Sequence, residues 1–135
     1  GGNPNQPTLL SRGKPATSSS VENNTFPASN AVDGNTGTRW SSQFSDPQWI
    51  AVDLGATKSV SRVRLQWETA YGKAYRIEVS TDNQNWSTVN TQAAGDGGTD
   101  DISFTAANAR YVRITGTQRG TQWGYSLFEF EVYGI

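Results

Sequence analysis

Residues 61–68 read SRVRLQWE, and the stretch alternates strictly. Val63, Leu65 and Trp67 fall on one side; Arg62, Arg64, Gln66 and Glu68 fall on the other. A period of two belongs to an extended strand with one buried and one wet face. The same alternation recurs outward from this segment. Ile50, Val52 and Leu54 repeat it in QWIAVDL, and Tyr75, Ile77 and Val79 alternate with Arg76 and Glu78. Val112 and Ile114 carry it in RYVRITG, and Phe128, Phe130 and Val132 in LFEFEVY. Polar turn clusters such as DNQN at 82–85 separate these runs, and no window holds a capped 3.6-residue period. The pattern predicts an all-β sandwich.

Strands expected at 60–68, 75–81, 86–91, 99–104, 110–117 and 125–133 run alternately up and down. Connections 69–74, 93–98 and 118–124 then meet at one end, and turns 82–85 and 106–109 at the other. Loops gathered at one end of a sandwich are a common place for a binding site, because the sheets hold them rigid. Residues 1–7 (GGNPNQP) contain nothing that joins a core and read as a linker or expression remnant. Residues 8–135 form a single domain. No cleavable leader is visible at the start, so a mature or excised segment is expected.

Composition removes whole classes of chemistry. The 135 residues include no Cys, His or Met, and the formal net charge is −1. Without Cys there is no disulfide framework, thiol nucleophile or soft metal ligand. Without His there is no Ser-His-Asp triad and no imidazole ligand or base. A near-neutral chain lacks the basic stripe that a nucleic-acid surface needs. No apolar run approaches the length of a membrane helix. Nucleic acid and membrane are therefore not expected partners, and a monomer is.

The segment NAVDGNTGTRWSS at 30–42 holds the densest set of oxygen donors. Asp33-Gly34 opens a turn, and Asn35, Thr36 and Thr38 follow it. Hard cations take six to eight such oxygens, yet one carboxylate is too few for tight binding. On local spacing alone, an Asx-turn closed by Asp33 on its own backbone is the simpler reading.

AVDGNTGTRWSS, PQWIAVDLG, VSRVRLQWETAYGKAYRIEVSTDNQNW, ARYVRITG and the ending GYSLFEFEVYG, in that order, resemble a discoidin (coagulation-factor type C) domain. More narrowly, the chain is similar to the family 32 carbohydrate-binding modules appended to bacterial polysaccharide-degrading enzymes. The resemblance covers residues 9–135. It implies a jelly-roll β-sandwich of about eight main antiparallel strands, no catalysis, and sugar binding by loops at one end. It also implies a secreted, extracellular bacterial protein with a glycoside hydrolase domain in the same parent chain.

A structural Ca2+ is part of what the resemblance implies. The positions matching the family's ligands are the carbonyls of Asn30 and Asn35, the Asp33 carboxylate, and the carbonyl and hydroxyl of Thr38. The Phe128 carbonyl and the Glu129 carboxylate complete the set. Asp33 and Glu129 would supply the two charges, tying an early loop to the last strand.

A sugar presents a C–H face that stacks on aromatic rings and hydroxyls that suit Arg and carboxylate groups. Loop residues outside the core alternation that meet this need are few. Glu68 opens the loop TAYG, and WETAYGKAY looks like the WE-x-AY motif of β-glucan- and chitosan-binding members, where this Glu contacts ligand. Tyr71 lines the same loop or packs over its base, and Glu68 has Lys73 as an alternative ion-pair partner. Arg39 matches a ligand-contacting Arg of the family; a purely structural salt bridge to Asp33 or Asp46 is the alternative. Phe44 in SSQFSD is either an exposed contact or a plug. Trp123, flanked by Gly120 and Gly124, is a candidate platform with Tyr125 as its competitor. Glu22 in VENNTF matches an acidic contact of chitosan-binding members.

Galactose-binding members use a His that this chain lacks, which points to gluco-configured ligands. Chitosan and β-glucan stay undivided at this level. Two other functions remain: a discoidin-type adhesion domain, disfavoured by the missing Cys and scarce loop aliphatics, and a small glycosidase built on Glu22 and Glu68.

Overall fold

The computed structural model describes residues 5–135; residues 1–4 of the expected linker lie outside the described residues. Eight strands follow in chain order: β1 (Thr8–Leu9), β2 (Ala16–Ser18), β3 (Trp40–Ser41), β4 (Gln48–Trp67), β5 (Gly72–Ser80), β6 (Ser87–Gln92), β7 (Thr99–Arg119) and β8 (Ser126–Gly134). A single 3-10 turn, Ala28–Ala31, sits between β2 and β3 and buries both of its alanines. All strand pairs are antiparallel, and the ladder runs β1-β8-β4-β7-β5-β6, with β2 added to β4 and β3 to β8.

Two long strands give this ladder its sandwich form. The first part of β4 pairs with the last part of β7 (Gln48 with Gly116, Asp53 with Tyr111). The second part of β4 pairs with the start of β7 (Arg62 with Ser103, Gln66 with Thr99) and, on its other edge, with β8. Register shifts between Asp53 and Lys58 and between Val60 and Arg62 mark where the ribbon bends from one layer to the other. Such irregularities sharpen local twist and let one strand serve two layers. Residues 106–109, expected as a turn, therefore lie inside β7. The runs at 50–54 and 61–68 likewise belong to one strand, β4.

The alternating positions face a shared core. Ile50, Val52, Val60, Val63, Leu65, Tyr75, Ile77, Val112, Phe130 and Val132 are all fully enclosed. One expectation fails in β8. Gln66 pairs with Glu129 but Trp67 pairs with Leu127, so Phe128 is a bulged residue without a partner on β4. The bulge turns Leu127 into the core beside Phe130 and leaves Phe128 only half-buried.

Strand register also fixes which ends coincide. Gln48 lies opposite Gly116, Gly72 opposite Arg119, Trp67 opposite Leu127 and Ser41 opposite Ser126. The loops at 42–47, 68–71 and 120–125 consequently leave the sandwich at one rim. Segment 93–98 joins them through Gly95 N–H to Lys73 O (2.8 Å) and Trp67 N–H to Gly98 O (2.9 Å).

Candidate functional site

The rim encloses a cavity of about 200 Å³ lined by Glu22, Arg39, Ser41, Phe44, Glu68, Ala70 and Trp123. Each wall is held by strand ends. The backbone of Glu22 is tied to β3 by its N–H to Ser41 O (2.6 Å). Its carboxylate accepts the Ser41 hydroxyl at 2.8 Å. Glu68 follows β4 directly; its N–H bonds Ser126 O (2.9 Å) and its carboxylate accepts the Ala70 amide at 3.2 Å. Arg39 enters from the residue before β3. Its guanidinium lies 4.0 Å from the centre of the Phe26 ring, donates to Ser126 Oγ at 2.7 Å and stands 3.7 Å from Glu68. Stacking on an aromatic face fixes the plane of the Arg fork.

Two carboxylates and one guanidinium leave the cavity with a net negative charge. Phe44 and Trp123 stand above it, 43% and 47% exposed, and meet edge to face with ring centres 5.6 Å apart. Large exposed aromatics beside convergent polar groups form a surface suited to a ring with both an apolar face and polar edges.

Five residues singled out from sequence thus share one cavity: Glu22, Arg39, Phe44, Glu68 and Trp123. The suggested ion pairs of Arg39 with Asp33 or Asp46 and of Glu68 with Lys73 are replaced by Arg39–Glu68. Tyr125 is corrected. It is 2% exposed, inside the core, and its hydroxyl donates to Asp46 at 2.5 Å. A ring so enclosed has no face for a ligand. Burial first, then the Asp46 bond, pushes that phenol far above the ordinary tyrosine range. Tyr71 does not line the cavity; its half-buried ring packs over Gly97 and Gly120.

Sequence alone did not single out Ser41, Ala70, Ser126 or the brace around Arg119. Arg119 donates to Asp46 (3.1 Å) and to the Phe44 carbonyl (2.9 Å), and reaches the Trp123 carbonyl at 3.5 Å. It therefore joins the loop of one exposed aromatic to the loop of the other. Small polar residues and an Arg at a strand end carry no local signal of such partnerships.

Residues 15–130 match the F5/8 type C domain. The chain belongs to the F5/8 type C domain family. Within it, the chain is similar to chitosan-binding module 1 of a chitosanase/glucanase from Paenibacillus sp. IK-5. Identity is 55%, with 94% of this chain and 99% of that one covered, at a TM-score of 0.91. Chitosan-binding module 2 of the same enzyme, solved in complex with chitotriose, is 50% identical, with coverage of 93% and 99% and a TM-score of 0.91. A curated relative, the polysaccharide lyase 8 family protein HylA of Enterococcus faecalis, is 32% identical over 116 residues. That match takes in 80% of this chain but only 8% of the relative's length.

Residues 30–38 and 128–129 carry the expected cation ligands. Asp33 closes an Asx-turn on the Asn35 N–H (2.9 Å), and its other oxygen accepts the Thr38 hydroxyl (2.6 Å). The Asn35 carbonyl also accepts that hydroxyl at 3.0 Å. Asn30 pins the loop, its side-chain amide donating to Thr25 O and Arg39 O. Glu129 reaches this loop: the Gly34 N–H bonds its carboxylate, while the side chain is 4% exposed and its Oε1 is enclosed with no hydrogen-bond partner. Burial, then the Asp33 and Glu131 carboxylates, pushes its carboxyl up to about 7. An orphaned carboxylate oxygen near a second carboxylate fits a hard cation. Among the described residues no three acidic, His or Cys side chains cluster, so carbonyls and hydroxyls would have to complete the shell.

Proposed function

We propose that this chain is a non-catalytic carbohydrate-binding module whose rim cavity grips β-linked glucosamine oligomers. The carrying observation is Glu22 and Glu68 on one cavity opposed only by Arg39. A neutral β-glucan needs acceptors but no excess negative charge, whereas a glucosamine ring brings an ammonium that this excess matches. Trp123 and Phe44 supply stacking faces. The likeness to two chitosan-binding modules supports the same choice. Binding by one or two rings should be weak, roughly 10–1000 μM. Attachment to a polysaccharide-degrading catalytic domain, in a secreted protein, would raise its effective concentration at the substrate. The relatives include modules of a chitosanase/glucanase and a polysaccharide lyase, so the attached chemistry need not be hydrolysis.

Calorimetric titration at two salt concentrations tests the reading. Chitosan-oligomer affinity should fall as salt screens the ion pairs, while laminari-oligosaccharide affinity should be weaker and nearly salt-independent. Salt-insensitive chitosan binding would remove the electrostatic basis. Release of reducing sugar from either polymer would overturn the non-catalytic assignment.

Asp33 and Glu129, with Asn30, Asn35, Thr38 and the Phe128 carbonyl, are proposed to hold Ca2+, which would neutralise the facing carboxylates. The bulge at Phe128 supports this, since an extra strand residue has no ladder partner to occupy it. The ion's part is structural, joining the 30–38 loop to β8.

A further inference from the structure

We infer that the rim carries a second sugar subsite, on the far side of Phe44, which receives the neighbouring ring of the same oligomer. This rests on the binding-module reading above and extends it to a length preference. A second hollow of about 530 Å³ is lined by Glu22, Asn23, Gln43, Phe44 and Ser45. It shares Glu22 and Phe44 with the first cavity. Phe44 is thus a ridge between two depressions, and its exposed ring offers faces to both. A chain seated in the first cavity would have to cross Phe44 to reach the second hollow.

The groups facing the second hollow are matched to hydroxyls. Asn23 Oδ1 is engaged by the Thr25 N–H at 2.9 Å, which leaves its NH2 as the available donor. Gln43 is reversed: its NH2 is spent on the Val21 carbonyl at 2.6 Å, which leaves its amide oxygen as the acceptor. A donor and an acceptor fixed by their own loop bonds suit sugar hydroxyls, which need both. Glu22 is the one ionisable residue here and already serves the first cavity. The second position therefore accepts a glucosamine or a neutral gluco-configured ring, while the amine requirement belongs to the first.

The test measures glucosamine monomer and trimer against the wild-type chain, Asn23→Lys and Glu68→Gln by calorimetry. Asn23 is exposed, so the added ammonium meets a bound second ring directly. The wild type should bind trimer about tenfold tighter than monomer. Asn23→Lys should cancel most of that gain and leave monomer affinity within about twofold. On trimer addition, and not on monomer addition, the side-chain amide NMR signals of Asn23 and Gln43 should shift. Equal wild-type affinities, an equal effect of Asn23→Lys on both ligands, or unmoved amide signals would overturn the subsite while leaving the first cavity intact. If Glu68→Gln leaves both ligands bound at wild-type strength, the first cavity is misassigned and the subsite falls with it.

Discussion

Glu68 and Trp123 bring two different contacts to one cavity, a charge and a flat ring, and their loss should read differently. Glu68→Gln preserves the shape and the acceptor for the Ala70 amide but removes the charge. Glucosamine oligomers should bind about tenfold more weakly, and what remains should lose its salt dependence. Trp123→Ala takes away stacking worth about 0.5–1.5 kcal/mol, so every gluco-configured ligand should weaken several-fold with salt dependence unchanged. Trp123 is half exposed and Glu68 sits at the rim, so both variants should melt near the wild-type temperature. Glu68 was legible in sequence because it continues a clean alternation into a polar loop. Tyr125 was misread because the alternation gave no hint that the preceding glycine-rich turn returns the chain to the core.

At the scale of elements, the rim depends on how two loops are braced. Arg119 closes β7 and bonds Asp46 and the Phe44 carbonyl, and Asp46 in turn accepts the buried Tyr125 hydroxyl. Arg119→Ala should loosen both aromatic loops, lowering oligomer affinity and changing Trp123 fluorescence, while Arg119→Lys recovers only part of each. Behind the brace, Gly116 lies flat against Tyr125, and a methyl there would enter the ring at Cε1. Gly116→Ala should therefore cost stability as well as binding, by about 1–3 kcal/mol of overpacking in urea unfolding. The β8 bulge shows how little of this can be read from a period. LFEFEVY alternates perfectly from Phe128 onward, yet one extra residue opposite Trp67 sends Leu127 inward and tilts Phe128 out. A bulge costs only a residue and leaves the downstream alternation untouched, so the sequence carries no trace of it.

For the whole molecule, the proposed cation and the acid range are the levers on stability. If calcium joins the 30–38 loop to β8, excess chelator should lower the melting temperature, and readdition should restore it. Glu129→Gln removes the unmatched charge, so its melting curve should no longer respond to chelator. An unchanged wild-type curve would remove the ion. Acid should also destabilise the fold. The Arg110 bond holds Asp53 below the usual carboxylate range, the Arg62 bond does so for Asp101, and the Asn85 and Gln84 amides do so for Asp82. Burial opposes the shift at Glu78, but Thr115 and Arg113 overcome it. Groups with depressed folded values add stability above their unfolded values near pH 4 and lose it as pH falls through the folded ones. Melting temperature should accordingly decline from about pH 5 downward, and Asp82→Asn should flatten part of that decline.

What the sequence determined by itself was local and periodic. The two-residue alternation around Val63, Leu65 and Trp67 required strands with a buried face. The absence of Cys and His closed off thiol and imidazole chemistry, loop residues such as Phe44 and Trp123 stood out because they did not fit a core, and Glu22 stood out only through the family resemblance. The tertiary structure decided which of them meet. Glu22 and Glu68 are 46 positions apart in a chain whose period says nothing about bends. They reach one cavity because β4 and β7 fold from one layer to the other and bring distant strand ends to a single rim. Pairing between strands depends on register shifts summed over the whole ladder, and no residue records that sum locally.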